Sequence, residues 1–158
     1  MTVDEIVELY EMNEHPEGGY YKESYRSDVT LNTLRGERNL CTAIYFLITK
    51  DSISHFHKLT SDECWHFYMG SPLKLFEIFP DGCLKETIIG NDIRSGEKLQ
   101  YIVPAGNYFA STSSGEYSLV GCTVSPGFDF NDFVMAKKKQ LVKISPQNEK
   151  LISKYCLN

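Results

Sequence analysis

Apolar and polar positions change their period along the chain. At the start, Val3, Ile6, Val7 and Tyr10 recur at the spacing of one helix face, and Thr2 with Glu5 has the separation of a capping box. His15-Pro16 is expected to end that helix, and Gly18-Gly19 follows as a turn that needs permissive backbone angles. From there to about residue 135 the pattern is that of strands, with β-branched and aromatic runs between turn residues at short intervals. The predicted strands are 20–24, 40–48, 64–69, 73–79, 86–89, 100–103, 107–111 and 118–124. Their punctuation is Arg35-Gly36, Gly70-Ser71-Pro72, Asp81-Gly82, Ser95-Gly96, Pro104-Ala105-Gly106 and Pro126-Gly127. Ser145-Pro146 reads as an N-cap with proline at the first helical position, and Leu151, Ile152 and Tyr155 give the following short helix an apolar face. With no internal repeat and no long linker, residues 1–158 read as one all-β domain, a barrel or sandwich with a short helix at each end.

Composition narrows this picture. A chain of 158 residues with 42% hydrophobic and 13% aromatic content can bury a core without staples. The net charge of −5 argues against nucleic-acid binding, and Lys137-Lys138-Lys139 with Lys143 reads as a solvated edge. The five cysteines are scattered without a C-x-x-C pair, so they read as reduced, mostly buried thiols. The acidic, amphipathic N-terminus lacks the features of a signal peptide, and no run reaches the ~18 apolar residues of a membrane span. The expected location is the cytoplasm, with no membrane contact.

Candidate chemistry is concentrated in residues 52–70, SISHFHKLTSDECWHFYMG, which hold three of the four histidines. In a regular strand His55 and His57 share a face, and with Glu63 as a third ligand they would suit a divalent transition metal. His66 lies three residues beyond Glu63, so a regular strand turns it the other way, together with Tyr68. Only a bulge would bring both into one pocket. Trp65 and Phe67 share the face of Glu63.

The same stretch resembles the first cupin motif, His-x-His followed by Glu and, with six residues between, Gly; Glu63 and Gly70 fit its second half. Residues 103–109, VPAGNYF, resemble the second motif, P-x-G-x-x-H, with Phe109 where the histidine would stand. Four segments, HPEGGYYKESYRS (15–27), FHKLTSDECWHFYMGSPLKLFEIFPDG (56–82), VPAGNYFA (103–110) and YSLVGCTVSPGFDF (117–130), resemble more closely the small Cupin_5-type subfamily, of which the chain is identified as a member. The resemblance implies a double-stranded β-helix, the cupin jelly-roll barrel, assembled as a homodimer with a pocket at one end. Gly18-Gly19 would let the next strand swap onto a partner, joining Tyr21 or Tyr25 to the interface. Five residues separate His57 from Glu63, so an ungapped match puts Leu59 in the second histidine's place, whereas one inserted residue makes His55 and His57 the pair. With Phe109 as well, at least one of the four usual ligands is missing, and the expectation is no cofactor.

Three functions remain open. One is a metal-independent sugar epimerase or isomerase acting on a sugar or nucleotide sugar. There His57 or His66 would be the base, Tyr20, Tyr45 or Tyr68 the acid, Glu63 the partner that orients the histidine and favours its charged form, and Arg26 the receptor for an anionic group. Another is a non-catalytic module that binds a small polar ligand against Tyr45, Trp65, Phe67, Phe76 and Phe109. The last is a metal-dependent oxygenase or isomerase built on His55, His57 and Glu63.

Overall fold

The protein is described by a computed structural model covering residues 1–157. Helix α1 (Val3–Leu9) starts with both halves of the capping box formed, the Thr2 hydroxyl accepting from the Glu5 amide and the Glu5 carboxylate from the Thr2 amide. It stops at Tyr10, well before His15-Pro16, where Glu11 takes a left-handed φ of 49°. The strands are β1 (Asn13–Glu14), β2 (Tyr20–Arg26), β3 (Thr30–Thr33), β4 (Gly36–Asn39), β5 (Thr42–Thr49), β6 (Ile53–Lys58) and β7 (Asp62–Gly70). They continue with β8 (Leu73–Ile78), β9 (Leu84–Ile89), β10 (Gln100–Val103), β11 (Tyr108–Ser113), β12 (Tyr117–Ser125) and β13 (Val134–Met135). Helices α2 (Lys138–Ile144) and α3 (Glu149–Tyr155) close the fold.

Two antiparallel sheets face each other. One has the order β1-β2-β5-β12-β7-β10 and the other β13-β6-β11-β8-β9, while β3 and β4 form a separate hairpin. This is the expected all-β jelly roll. Each predicted strand is present to within two residues at either end. Strand β2 pairs with β5 of its own chain.

The two-residue strands β1 and β13 lay outside the sequence reading, as did strand β6, the β3–β4 hairpin and helix α2. Strand β6 escapes because a bulge breaks its alternation, and the β3–β4 hairpin because its residues are mostly exposed and polar. The lysine run, read as an edge, leads into α2, whose Leu141 is buried. Ser145 does not cap: its hydroxyl donates to the Gly82 carbonyl at 2.6 Å, and Pro146 opens a 3-10 turn ahead of α3.

Burial explains the layers. Phe46, Ile48, Trp65, Leu75, Phe109 and Val120 fill the space between the sheets. Ile6 of α1 packs on Leu47 and Leu119 outside the first sheet, and α2 and α3 cover Phe56, Phe76 and Ile78 outside the second. Both sheets are therefore apolar on two faces, which is why strand polarity alone does not reveal the inside. Gly18 and Gly19 form the expected turn, with φ of 108° and 76°, pressed against the barrel. A Cβ on Gly18 would lie 2.0 Å from the Ile53 carbonyl oxygen. That close approach fixes where His15 and Glu17 go.

Candidate functional site

A cavity of about 430 Å³ opens between the sheets. Strands β6 and β7 give it His57 and Glu63, the turn before β2 gives His15 and Glu17, and residues 128–133 add Phe128, Phe130 and Phe133. Tyr21, Glu23 and Arg26 line it from β2, and Leu59 and Cys122 from the barrel.

The centre of this site is Glu17, which is buried. One carboxyl oxygen accepts a hydrogen bond from the Ser54 hydroxyl at 2.7 Å. The other lies 3.2 Å from His57 Nε2 and 3.4 Å from His15 Nδ1. His57 Nδ1 lies 2.7 Å from the His55 carbonyl, which can only accept, so Nδ1 carries the proton and Nε2 faces Glu17 as an acceptor. His15 Nδ1 accepts from the Glu17 amide at 3.3 Å, which places its proton on Nε2.

Electrostatics agree with this arrangement. Burial, reinforced by the nearby Glu63 charge, pushes the Glu17 carboxyl well above its ordinary range. Burial lowers His57 to about 3 and His15 to about 4. Both sides thus shift toward neutral forms, leaving a carboxylic acid that donates to imidazole. Burial also lifts Glu63 to about 7, with the Cys122 thiol and the Trp65 indole pulling it partly back. Glu63 Oε2 and Trp65 Nε1 are both buried without a hydrogen-bond partner among the described residues.

Of the sequence-predicted residues, His57, Glu63 and Arg26 line the cavity. Glu63 does not orient His57, however. Glu17 does, and His57 is held neutral rather than charged. Arg26 is already engaged, donating to both Glu23 oxygens at 3.0 and 2.7 Å, to the Asn39 side chain and to the Phe128 carbonyl. Trp65 and Phe109 are core residues between the sheets. His66 meets the Thr123 hydroxyl at 3.0 Å and Gln100 at 2.8 Å, and Tyr68 is half exposed. The bulge in β7 falls beyond His66, between the residues opposite Leu119 and Val120, so it does not return His66 to the face of Glu63. Tyr20 and Tyr45 pack with α1 on the outer side of the first sheet, and Phe76 packs against Tyr155 of α3.

His55 parts from His57 for a related reason. Ser54 and His57 oppose Ser111 and Phe109, three steps on β6 against two on β11. The bulge takes in His55 and Phe56, and His55 Nδ1 lies 2.7 Å from the Glu17 carbonyl oxygen while its ring does not line the cavity. His15 and Glu17 were missed. They sat inside the segment HPEGGYY, where only a helix stop and a turn were read.

The donor set does not fit a transition-metal centre. In the ungapped match the ligand positions are His57, Leu59, Glu63 and Phe109, and two of these are hydrocarbon. Leu59 lines the cavity, and the Phe109 ring lies against His57 with centroids 4.2 Å apart. Among the described residues no three His, Cys, Asp or Glu side chains converge as metal ligands.

Similar proteins place the chain. A hypothetical protein from Leishmania major superposes with a TM-score of 0.94 at 36% identity, covering 100% of both chains. Protein SO0799 from Shewanella oneidensis does so with a TM-score of 0.92 at 38% identity, covering 99% of this chain and 98% of that one. The uncharacterized protein YML079W of Saccharomyces cerevisiae is 32% identical over 90% of this chain and 79% of its own length. The model of the family described as Cupin superfamily (DUF985) matches residues 4–136, and with the barrel and its cavity in place this chain belongs to that family.

Proposed function

We propose that the cavity binds a small, sugar-sized polar carbonyl compound and moves a proton on it, as a metal-independent epimerase or isomerase does. The observation that carries this reading is the Glu17–His57 pair, two buried partners 3.2 Å apart at a cavity wall. Burial raises the Glu17 carboxyl well above its ordinary range, so its ionised form in this dry site is a strong base, and neutral His57 fixes the carboxyl's position. Glu17 takes the proton from the carbon beside the substrate carbonyl as the electron pair moves to the carbonyl oxygen. Tyr21, the tyrosine that lines the cavity, protonates that oxygen, the part assigned from sequence to Tyr20, Tyr45 or Tyr68. When the hydroxyl on the carbon that lost its proton passes its own proton to the Tyr21 phenolate and becomes the new carbonyl, Glu17 delivers the first proton to the former carbonyl carbon, which isomerises the substrate and restores both residues. The cavity's single arginine is bound to Glu23, which favours an uncharged sugar over a nucleotide sugar. We read the protein as a homodimer, and sedimentation as a monomer at micromolar concentration would end that part.

The test is exchange of carbon-bound hydrogen with solvent. A panel of aldoses and ketoses is incubated with the protein in D2O and followed by proton NMR. Exchange in at least one sugar is expected, falling about 10²- to 10⁴-fold in Glu17→Gln and His57→Asn. Sugars that bind without exchange would make the protein a non-catalytic binding module.

A further inference from the structure

We propose that His15 is a second donor to the substrate: its Nε2–H hydrogen-bonds an oxygen of the carbonyl–hydroxyl pair whose charge grows as Glu17 takes the proton from carbon. The inference rests on the proton-transfer reading and deepens it, adding a residue that holds the reacting oxygens without giving up its own proton.

The turn before β2 aims this ring. The His15 amide donates to the Gly19 carbonyl and the His15 carbonyl accepts from the Gly18 amide, both at 2.9 Å, so its backbone is locked where the chain folds back. Nδ1 faces the Glu17 amide at 3.3 Å and a Glu17 carboxyl oxygen at 3.4 Å. An amide N–H can only donate, so Nδ1 offers its lone pair and Nε2 carries the proton. Tyr21 meets the imidazole edge-on with centroids 4.7 Å apart, Phe46 and Phe133 do so at 5.8 Å, and Phe130 lies nearly parallel to it at 6.1 Å. Base, imidazole and phenol are thus neighbours at one end of the cavity. Nε2 stands across one small ring from the base, within the span of a carbonyl and the carbon beside it.

No protein group among the described residues takes up that N–H. The side-chain polar atoms that are both sealed off and unpartnered belong to Thr60, Glu63, Trp65 and Ser111. His15 Nε2 is unpartnered too but is not one of these, so it keeps open surface although its side chain is only 6% exposed, and the space beside the ring is the cavity. The turn and the surrounding rings already hold this donor in place, so little has to reorganise when charge develops on an oxygen near it. Burial lowers His15 to about 4, and the neutral imidazole present at ordinary pH polarises an oxygen without protonating it. Arg26 is occupied by Glu23, so the donors left to the cavity are uncharged, as suits an uncharged sugar.

Two substitutions separate a donor from a packing residue. Phenylalanine suits the aromatic surroundings and has no N–H, whereas glutamine suits them less and keeps both an acceptor for the Glu17 amide and a donor for the cavity. Solvent exchange should fall about 10²- to 10³-fold in His15→Phe, in kcat more than in KM, and His15→Gln should retain about tenfold more of it than His15→Phe. Binding is read separately by calorimetry on the intact protein, with D-erythronohydroxamate, D-arabinonohydroxamate and D-gluconohydroxamate, planar uncharged mimics of the enediol, against erythritol, D-arabinitol and D-glucitol. At least one hydroxamate is expected to bind about tenfold or more tighter than the alditol of its length, a preference lost in His15→Phe and partly kept in His15→Gln. Equal affinities in the intact protein, no binding by any hydroxamate, or His15→Phe matching or exceeding His15→Gln overturns the proposal. A hydroxamate preference that depends on His15, with no exchange in any sugar, leaves the donor standing and removes the proton-transfer reading. Exchange that His15→Phe does not slow does the reverse.

Discussion

The cavity has two kinds of wall, and they are built differently. His57 and Glu63 stand on β6 and β7, whose backbones are fixed by pairing with β11, β12 and neighbouring strands. Opposite them, His15, Glu17 and the three phenylalanines sit on chain that lies outside the long strands. Side-chain ties hold that second wall. Ser54 holds Glu17, the Thr42 hydroxyl accepts from the Phe128 amide, and Asp132 accepts two hydrogen bonds from Arg38. The strand wall gives position, whereas the turn wall brings Glu17 against His57 and adds the phenylalanine rings that line the cavity. Damage to one should cost stability and chemistry in a different ratio from damage to the other.

The largest expected effect comes from the turn. Gly18→Ala places a Cβ against the Ile53 carbonyl at a left-handed φ of 108°. It should cost about 2–4 kcal/mol in urea unfolding, and solvent exchange should fall as far as in Glu17→Gln. A variant that keeps full exchange activity would show that the turn does not place Glu17.

A middle-sized effect separates the walls by pH. Glu17 and Glu63 hold protons in the fold that the unfolded chain loses above 4.5, so their contribution falls as pH rises from there, that of Glu63 through about 7 and that of Glu17 through its own raised value. His15 and His57 refuse protons that the unfolded chain takes up below 6.5, so theirs falls as pH drops toward about 4 and about 3. Between 4.5 and 6.5 the two opposed slopes cancel. Urea midpoints should therefore be flat in that window and decline on both sides. Glu63→Gln should lessen the alkaline decline and His57→Asn the acid one. A sharp single maximum would contradict the neutral pairing.

The smallest effect tests the two sides of a single strand. His66→Ala changes the outer side of β7 and should leave exchange activity unchanged, with stability altered by about 0.5 kcal/mol or less. A large loss of exchange would bring His66 back as a candidate.

The same contrast explains what could be read from the residues. The strand wall was legible: Glu63 and His57 followed from the motif spacing, and parity alone set His66 and Tyr68 on the other side. His55 was misplaced because a bulge is a relation between two strands, set here by how β6 pairs with β11. Tyr20 and Tyr45 were misassigned because α1 makes the outer side of their sheet apolar too. His15 and Glu17 carry no periodic signal, since a turn has none. The available sign was two titratable residues directly before Gly18-Gly19, where the chain can fold back tightly.

Asp132 has a consequence beyond the cavity. Its carboxylate grips Arg38 through both oxygens and lies 3.3 Å from Arg35, so the β3–β4 hairpin and the segment carrying Phe130 and Phe133 are fastened together. At the hairpin tip Leu34 is fully exposed. The hairpin is in effect a lever with its short arm at the aromatic wall and its long arm in water. A dye attached at the tip would report a shift of the segment carrying Phe130 and Phe133 without altering a single cavity residue.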